Sequence, residues 1–197
     1  MNKIKKISKY KTYSDKKLIE ACVKQNKQAQ KELYLRFSYM MKGVCLRYAG
    51  NEQEAEDLLQ DSFIKAFEKI NTFKNTGSLG GWLRKLTVNT VLENFRKQKI
   101  KTQSLELIDK EKESNNFNVI QKLELEDLVC KVQKLPIGYR TVFNLYAIEG
   151  YNHIEIGELL NISSSTSKSQ YSRAKKLLIK MIDEEKQIEL NQLKYAK

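Results

Sequence analysis

Apolar residues recur at three- and four-residue steps through most of this chain, and that period predicts helices rather than strands. A short helix opens after Ser14-Asp15, with Ser14 as N-cap and Leu18, Ile19, Cys22 and Val23 on one face. Asn26 interrupts it. A longer helix follows, carrying Ala29, Leu33, Phe37, Met40, Met41, Val44, Cys45 and Tyr48, and Gly50-Asn51 closes it. A third stripe runs through Ala55, Leu58, Leu59, Ser62, Phe63, Ala66, Phe67 and Ile70. The stretch TFKNTGSLGG (72–81) reads as a mobile loop. It leads into a helix packed through Leu83, Leu86, Val88, Val91 and Phe95.

From Lys97 to Asn118 the period dissolves into mixed charges, serine and asparagine, the composition of a linker. Periodicity returns near Val119 with Leu123, Leu125, Leu128, Val129 and Val132. Leu135-Pro136 stops that helix and places proline in the first turn of the next, lined by Tyr139, Val142, Phe143 and Tyr146 and ended by Gly150. Tyr151 to Lys176 then reads as two short helices around a tight turn. Ile154, Leu159 and Leu160 give the first an apolar side, and Ile162 plugs the corner. Asn161 sits where a left-handed residue is wanted, and Ser163 is a natural N-cap for the second helix. That helix leaves Tyr171, Ala174, Leu177 and Leu178 to pack. It runs on through Met181 and Ile182 into a mixed-charge tail. The fold class is therefore all-α, with two small helical domains joined by a flexible linker. The expected divisions are a basic tail at 1–12, a first domain at 13–97, a linker at 98–118, a second domain at 119–182 and a tail at 183–197.

Composition sharpens this picture. The chain has 197 residues, 41% of them hydrophobic, which is enough for one core or two small ones. Its single proline and 8 glycines suit long helices. A formal charge of +12 and a pI near 9.4 favour a polyanionic partner. The basic N-terminus (Lys3, Lys5, Lys6, Lys9, Lys11) is followed by no apolar run, so neither a signal peptide nor a transmembrane segment is expected. Cys22, Cys45 and Cys130 are odd in number and far apart, as reduced core residues of a cytosolic protein would be. One histidine, His153, and no CxxC pair argue against a metal site.

Three segments then carry candidate chemistry. The last helix exposes Ser164, Ser165, Thr166, Lys168, Ser169, Ser172 and Arg173, whose hydroxyls and cations suit phosphates and base edges in a DNA major groove. The plain alternative is a helical hairpin with a solvated face. The third helix begins with Glu52, Glu54, Glu56 and Asp57, where a helix dipole favours anions. Its outward residues Gln60, Asp61 and Ile64 extend a surface fit for a partner other than DNA. Catalysis by its paired carboxylates is the weaker reading. The loop holds Phe73, Lys74, Asn75 and Ser78 but no GxxxxGK[ST] phosphate loop. Trp82, Arg84, Lys85 and Asn89 follow on the next helix, an arrangement suited to tracking a backbone and capturing unstacked bases. Trp82 reads equally as a core anchor.

Two blocks resemble one family together. AEDLLQDSFIKAF (Ala55 to Phe67) with INTFKNTGSLGGWLRKLTVN (Ile70 to Asn89) is similar to region 2 of the sigma factors of bacterial RNA polymerase. LPIGYRTVFNLYAIEGYNHIEIGELLNISSSTSKSQYSRAKKLL (Leu135 to Leu178) resembles their region 4. The small extracytoplasmic-function type fits, since regions 1 and 3 have no room. The resemblance implies a bacterial transcription initiation factor, not an enzyme, that needs no cofactor and takes no small-molecule substrate. It would bind core RNA polymerase, through the β′ coiled coil and the β flap, and promoter DNA. Glu56, Asp57, Gln60, Asp61 and Ile64 would dock on the β′ coiled coil. Phe73, Lys74, Asn75, Ser78, Trp82, Arg84, Lys85 and Asn89 would recognise and open the −10 element. Ser164, Ser165, Thr166, Lys168, Ser169, Ser172 and Arg173 would read the −35 element. Such factors are commonly held by an anti-sigma factor, often membrane-bound. The pattern departs from the family at Gly157, where alanine is usual, at Asn161 and Ser165, where glycine is usual, and at Ser167, where an apolar residue is common. Gly80-Gly81 also loosens the start of the Trp82 helix. A free-standing helix-turn-helix regulator is the alternative, and it leaves the acidic helix without a task. A nuclease would need a convergent His/Asp/Glu set that this sequence does not offer.

Overall fold

The computed structural model describes residues 9–103 and 125–195. Among these there is no strand. Two compact units form, one drawn mainly from the first four helices and the other mainly from the last four. The first four are α1 (Asp15–Val23), α2 (Lys27–Tyr48), α3 (Glu52–Lys69) and α4 (Leu79–Gln103). The second set is α5 (Leu125–Gln133), α6 (Ile137–Phe143), α7 (His153–Leu160) and α8 (Ser164–Tyr195).

In the first unit the apolar stripes of α1 to α4 meet. Leu18, Leu33, Met41, Leu83 and Val91 have no exposed surface, and each such side chain contributes about 1.5–3 kcal/mol. Met40, expected in this core, is instead partly exposed. Polar residues enter the core where the helix itself satisfies them. Ser62 donates its hydroxyl to the Leu58 carbonyl at 2.7 Å, and Thr87 and Thr90 donate to Leu83 and Leu86 at 2.9 Å.

Local signals behave unevenly. Asn26 does more than interrupt α1: its side chain accepts from the backbone N–H groups of Gln28 and Ala29 and so caps α2. Ser14 occupies the N-cap of α1, but its hydroxyl makes no capping bond. The basic segment before it is not loose throughout. Lys9–Thr12 form a 3-10 turn, Tyr10 is buried, and Arg36 donates to the carbonyls of Tyr10 and Tyr13. Residues 1–8 of the expected tail lie outside the described residues.

The expected linker starts inside a helix, because α4 continues to Gln103. Residues 104–118, and the expected helix start near Val119, lie outside the described residues, and the described part of that helix begins at Leu125. Pro136 sits at the N-cap of α6, one position before the helical turn. The chain then winds through a π turn at Asn144–Ile148, and Gly150 (φ 81°) reverses it. The second core gathers Val132, Leu135, Ala174 and Leu178, with Tyr139, Phe143, Leu177 and Met181 against it.

The expected C-terminal tail is a helical extension of α8 as far as Tyr195. An ion pair joins it to α5. The buried Lys131 of α5 pairs with Asp127 on its own helix and with Glu185 on α8. Burial pulls the Lys131 ammonium down, but the hydrogen bonds and charges of these two carboxylates push it above its ordinary value.

Candidate functional site

The acidic surface is a property of α3. Asp57, Gln60, Asp61 and Ile64 are exposed, and at 3.6 residues per turn they fall within roughly a 100° arc. Ile64 is 56% exposed, an isoleucine left facing solvent amid acids and amides. Glu56 departs from this group. It lies about 100° round the helix from Asp57 and is paired with Lys42 of α2. Asp61 is on the face but accepts from Asn94 of α4 at 2.9 Å. Beside it Lys65 pairs with Glu93 of α4, and the hydrogen bond from Lys65 holds the Glu93 carboxyl below the usual carboxylate range. The face is therefore tied to α4 at Asp61 and, beside it, at Lys65.

The loop before α4 bends sharply at Asn75 (φ 55°) and Gly77 (φ 115°). Lys74 and Asn75 stand exposed on this turn. Phe73 and Trp82 flank it, half-buried, with ring centroids 5.7 Å apart, so neither is wholly a core anchor or a free platform. Ser78, expected at the DNA, is engaged elsewhere: its Oγ accepts from the Gly81 N–H at 3.0 Å and caps α4. A Cβ on Gly81 would come within 3.0 Å of that oxygen. Gly81 thus serves the cap, whereas a Cβ on Gly80 would meet the Phe37 ring at an ordinary 3.5 Å. Along α4, Lys85 and Asn89 are exposed one turn apart, while Arg84 is half-buried to one side.

The helix-turn-helix is built from α7 and α8. Asn152 caps α7 by accepting from Ile154 and Glu155, and Glu155 reciprocates by accepting from the Asn152 N–H at 2.7 Å. Ile156 is the buried anchor of α7, whereas Ile154, expected to pack, is 68% exposed. Asn161 is left-handed (φ 54°, ψ 52°), as the turn requires. The turn closes tightly on Gly157: a Cβ there would lie 2.8 Å from the Ile162 carbonyl oxygen. As it stands, this turn leaves no room for an alanine at that position.

Ser163 starts α8 by accepting from the Thr166 N–H at 3.0 Å. Its Oγ also shares hydrogen bonds with Ser165 Oγ and Thr166 Oγ1 at 2.8 and 2.7 Å. Ser169 donates to the Thr166 carbonyl at 2.9 Å. Three of the seven residues expected at DNA, Ser165, Thr166 and Ser169, are therefore occupied within the helix itself. Ser164, Lys168 and Ser172 recur every fourth residue along one exposed row. Arg173 is exposed towards α6, its Nη1 3.4 Å from the Tyr139 hydroxyl.

Several residues at this surface carried no signal in the sequence reading. Lys175 is exposed and sits 5.0 Å from the centre of the Tyr171 ring. His153 stacks on Tyr146 with ring centroids 4.3 Å apart, and its Nδ1 lies 2.9 Å from the Oγ of Ser167, which is wholly buried. The departure of Ser167 from an apolar residue was the one available hint. The Asn152–Glu155 cap was legible as an N-x-x-E spacing.

Among the described residues no group of three His, Cys, Asp or Glu side chains is placed to hold a metal. No helix among them is long and apolar enough to cross a membrane.

Comparison with known proteins places both surfaces in one family. A model of sigma-70 region 2 matches residues 33–100, and one of sigma-70 region 4 matches residues 125–178. The chain is 32% identical over 151 residues to the ECF RNA polymerase sigma factor SigW of Bacillus subtilis, covering 71% of this chain and 81% of that one. It is 28% identical over 173 residues to the RNA polymerase sigma factor SigV of the same organism, covering 85% and 93%. Among solved structures, the sigma factor RpoE of Bartonella quintana, in complex with the anti-sigma factor NepR, shares the fold with a TM-score of 0.52 at 24% identity, over 78% of this chain and 96% of that one. The α3 face and the α4 start fall within the region 2 match, and α7 and α8 up to Leu178 fall within the region 4 match, so this chain belongs to the extracytoplasmic-function RNA polymerase sigma factors, which are transcription initiation factors.

Proposed function

We propose that the two units divide promoter recognition between them once core RNA polymerase is bound. The observation that carries this is the coexistence, in a chain of charge +12, of one exposed acidic helix face and one helix row of hydroxyls about the Lys168 cation. The first repels DNA and suits a basic protein surface. The second suits DNA.

The face of Asp57, Gln60, Asp61 and Ile64 docks on the β′ coiled coil, with Glu56 fixing α2 to α3 beside it. The Lys74–Asn75 turn, Lys85 and Asn89 take the −10 element, supported by the Phe73–Trp82 pair, Arg84 and the Ser78 cap. The exposed row of Ser164, Lys168 and Ser172, with Arg173 at its flank, reads the −35 element. Ser165, Thr166 and Ser169 hold the leading turn of α8 in shape. The second unit also rests on the β flap. The protein acts in the cytoplasm and does no chemistry itself, since polymerase makes the bonds. The RpoE relative, captured with NepR, favours an anti-sigma factor as the regulatory partner here too.

The test is run-off transcription by bacterial core RNA polymerase on fragmented genomic DNA, with and without this protein. New discrete start sites sharing two upstream motifs are expected. Tight DNA binding by the protein alone, with no new starts, would instead identify a free-standing regulator.

A further inference from the structure

We propose that His153 is a positioning residue for the recognition helix: by bonding the buried Ser167 and stacking on Tyr146 it sets the rotation of α8 on α7, and with it the reach of Lys168. This inference rests on α8 reading the −35 element.

The joint is specific in its geometry. His153 opens α7, and Ser167 lies at the end of the first turn of α8, fourteen residues on. Their hydrogen bond at 2.9 Å crosses directly between the two helices of the motif. Ser167 is wholly buried, so its hydroxyl has a strong need of a partner there. The imidazole is nearly parallel to the Tyr146 ring, at an interplanar angle of 11°, which fixes its plane as well as its distance. Tyr171, from the next turn of α8, closes the third side at 5.9 Å. Lys168 follows Ser167 directly, so any rotation of α8 that moves the serine also moves the central cation of the exposed row.

The joint also responds to protons. The titratable and charged groups facing His153 are Lys168 and Tyr171 from α8 and Tyr146 from the π turn, while Lys175 lies over Tyr171. Glu155, on its own helix, is turned back to the Asn152 N–H. Among the described residues no carboxylate bonds the imidazole, and burial, with the Lys168 ammonium, holds it below its ordinary range. A protonated ring would add a second positive charge to the field in which Lys168 stands. His153 is the sole histidine of the chain, so no other side chain of this protein ordinarily titrates between pH 5 and 7.

The experiment uses the full chain bound to core RNA polymerase and a promoter recovered by run-off transcription. Binding is measured to that fragment and to the same fragment with its −35 element scrambled, at a temperature where every variant is folded by circular dichroism. His153→Ala and Ser167→Ala are each expected to weaken binding about tenfold on the intact fragment, with little change on the scrambled one. The double variant should lose no more than either single one. His153→Asn, which keeps a polar atom at the Nδ1 position, should recover most of the loss. It should also abolish the wild-type decline in −35 preference as pH falls from 7 towards 5. Equal losses on both fragments, additive losses in the double variant, or an unchanged pH profile in His153→Asn would each overturn the proposal. A wild-type complex indifferent to scrambling would instead overturn the assignment of α8 itself, before any variant is compared.

Discussion

The outward face of α3 and the leading turns of α8 are both polar helix surfaces, but they are held in different ways. On α3 the exposed residues are acids, an amide and an isoleucine, and only Asp61 is committed to a neighbouring helix, through Asn94. On α8 the small hydroxyls of Ser163, Ser165, Thr166 and Ser169 bond one another or the local backbone, and the cations stand clear of that network. The difference lies in side-chain length. A serine or threonine hydroxyl reaches the first-turn N–H groups and the carbonyls of its own helix, so a helix start claims it. A carboxylate or ammonium on a longer stem also reaches past its own helix, as Lys42 and Glu56 do towards each other. Hydroxyl residues near a helix start have therefore first to be tested as caps, and charged residues on a helical face as partners of a neighbouring helix, as Glu56 is of Lys42.

Reversing charge on α3 should give the largest effect. With Asp57→Lys and Gln60→Lys together, co-purification with core RNA polymerase should be abolished while the circular dichroism spectrum stays helical. Retained binding would detach the acidic face from the polymerase. The next effect tests the turn that presents α8. Gly157→Ala places a methyl group 2.8 Å from a backbone oxygen and should lower the urea-unfolding stability by about 2 kcal/mol. An unchanged midpoint would mean that the turn opens without cost.

Lys168→Ala should weaken binding to an intact −35 element by about 1.5 kcal/mol and relax preference at one base position. The same loss on every DNA sequence would reduce Lys168 to a phosphate contact. The smallest pair of effects bears directly on the contrast between the two helices. Ser163→Ala should cost about 1 kcal/mol of stability through the lost cap, measured by thermal unfolding. Ser164→Ala, one residue later on the exposed row, should change stability by no more than about 0.5 kcal/mol yet alter DNA binding. The reverse result would exchange their roles.

Much of this was legible in the chain. The apolar stripe of α3 and the left-handed Asn161 required only nearest-neighbour geometry, and both stand as read. The miss at Ile154 has a clear cause. Ile154 and Ile156 are two residues apart on an eight-residue helix, and local periodicity cannot decide which one faces inward. Ser78 and Ser163 show the same ambiguity from the polar side. Each precedes a helix, yet only Ser163 was read as a cap, because Ser78 also stood in a loop attractive for DNA. The extension of α8 to Tyr195 is not legible in the sequence, because its mixed charges look like a tail. The Lys131–Glu185 pair, which joins residues far apart in sequence, ties that extension to α5.

The sequence by itself determined the helical class, the two-unit order and the family, because these rest on period, on spacing and on motifs that do not depend on distant contacts. Only the tertiary structure decided which polar residues remain available to a partner. Whether Glu56, Asp61, Ser167 or His153 is engaged depends on what another helix brings within 3 Å, and hydrogen bonds of that length are set by packing between elements rather than by the neighbours of a residue along the chain.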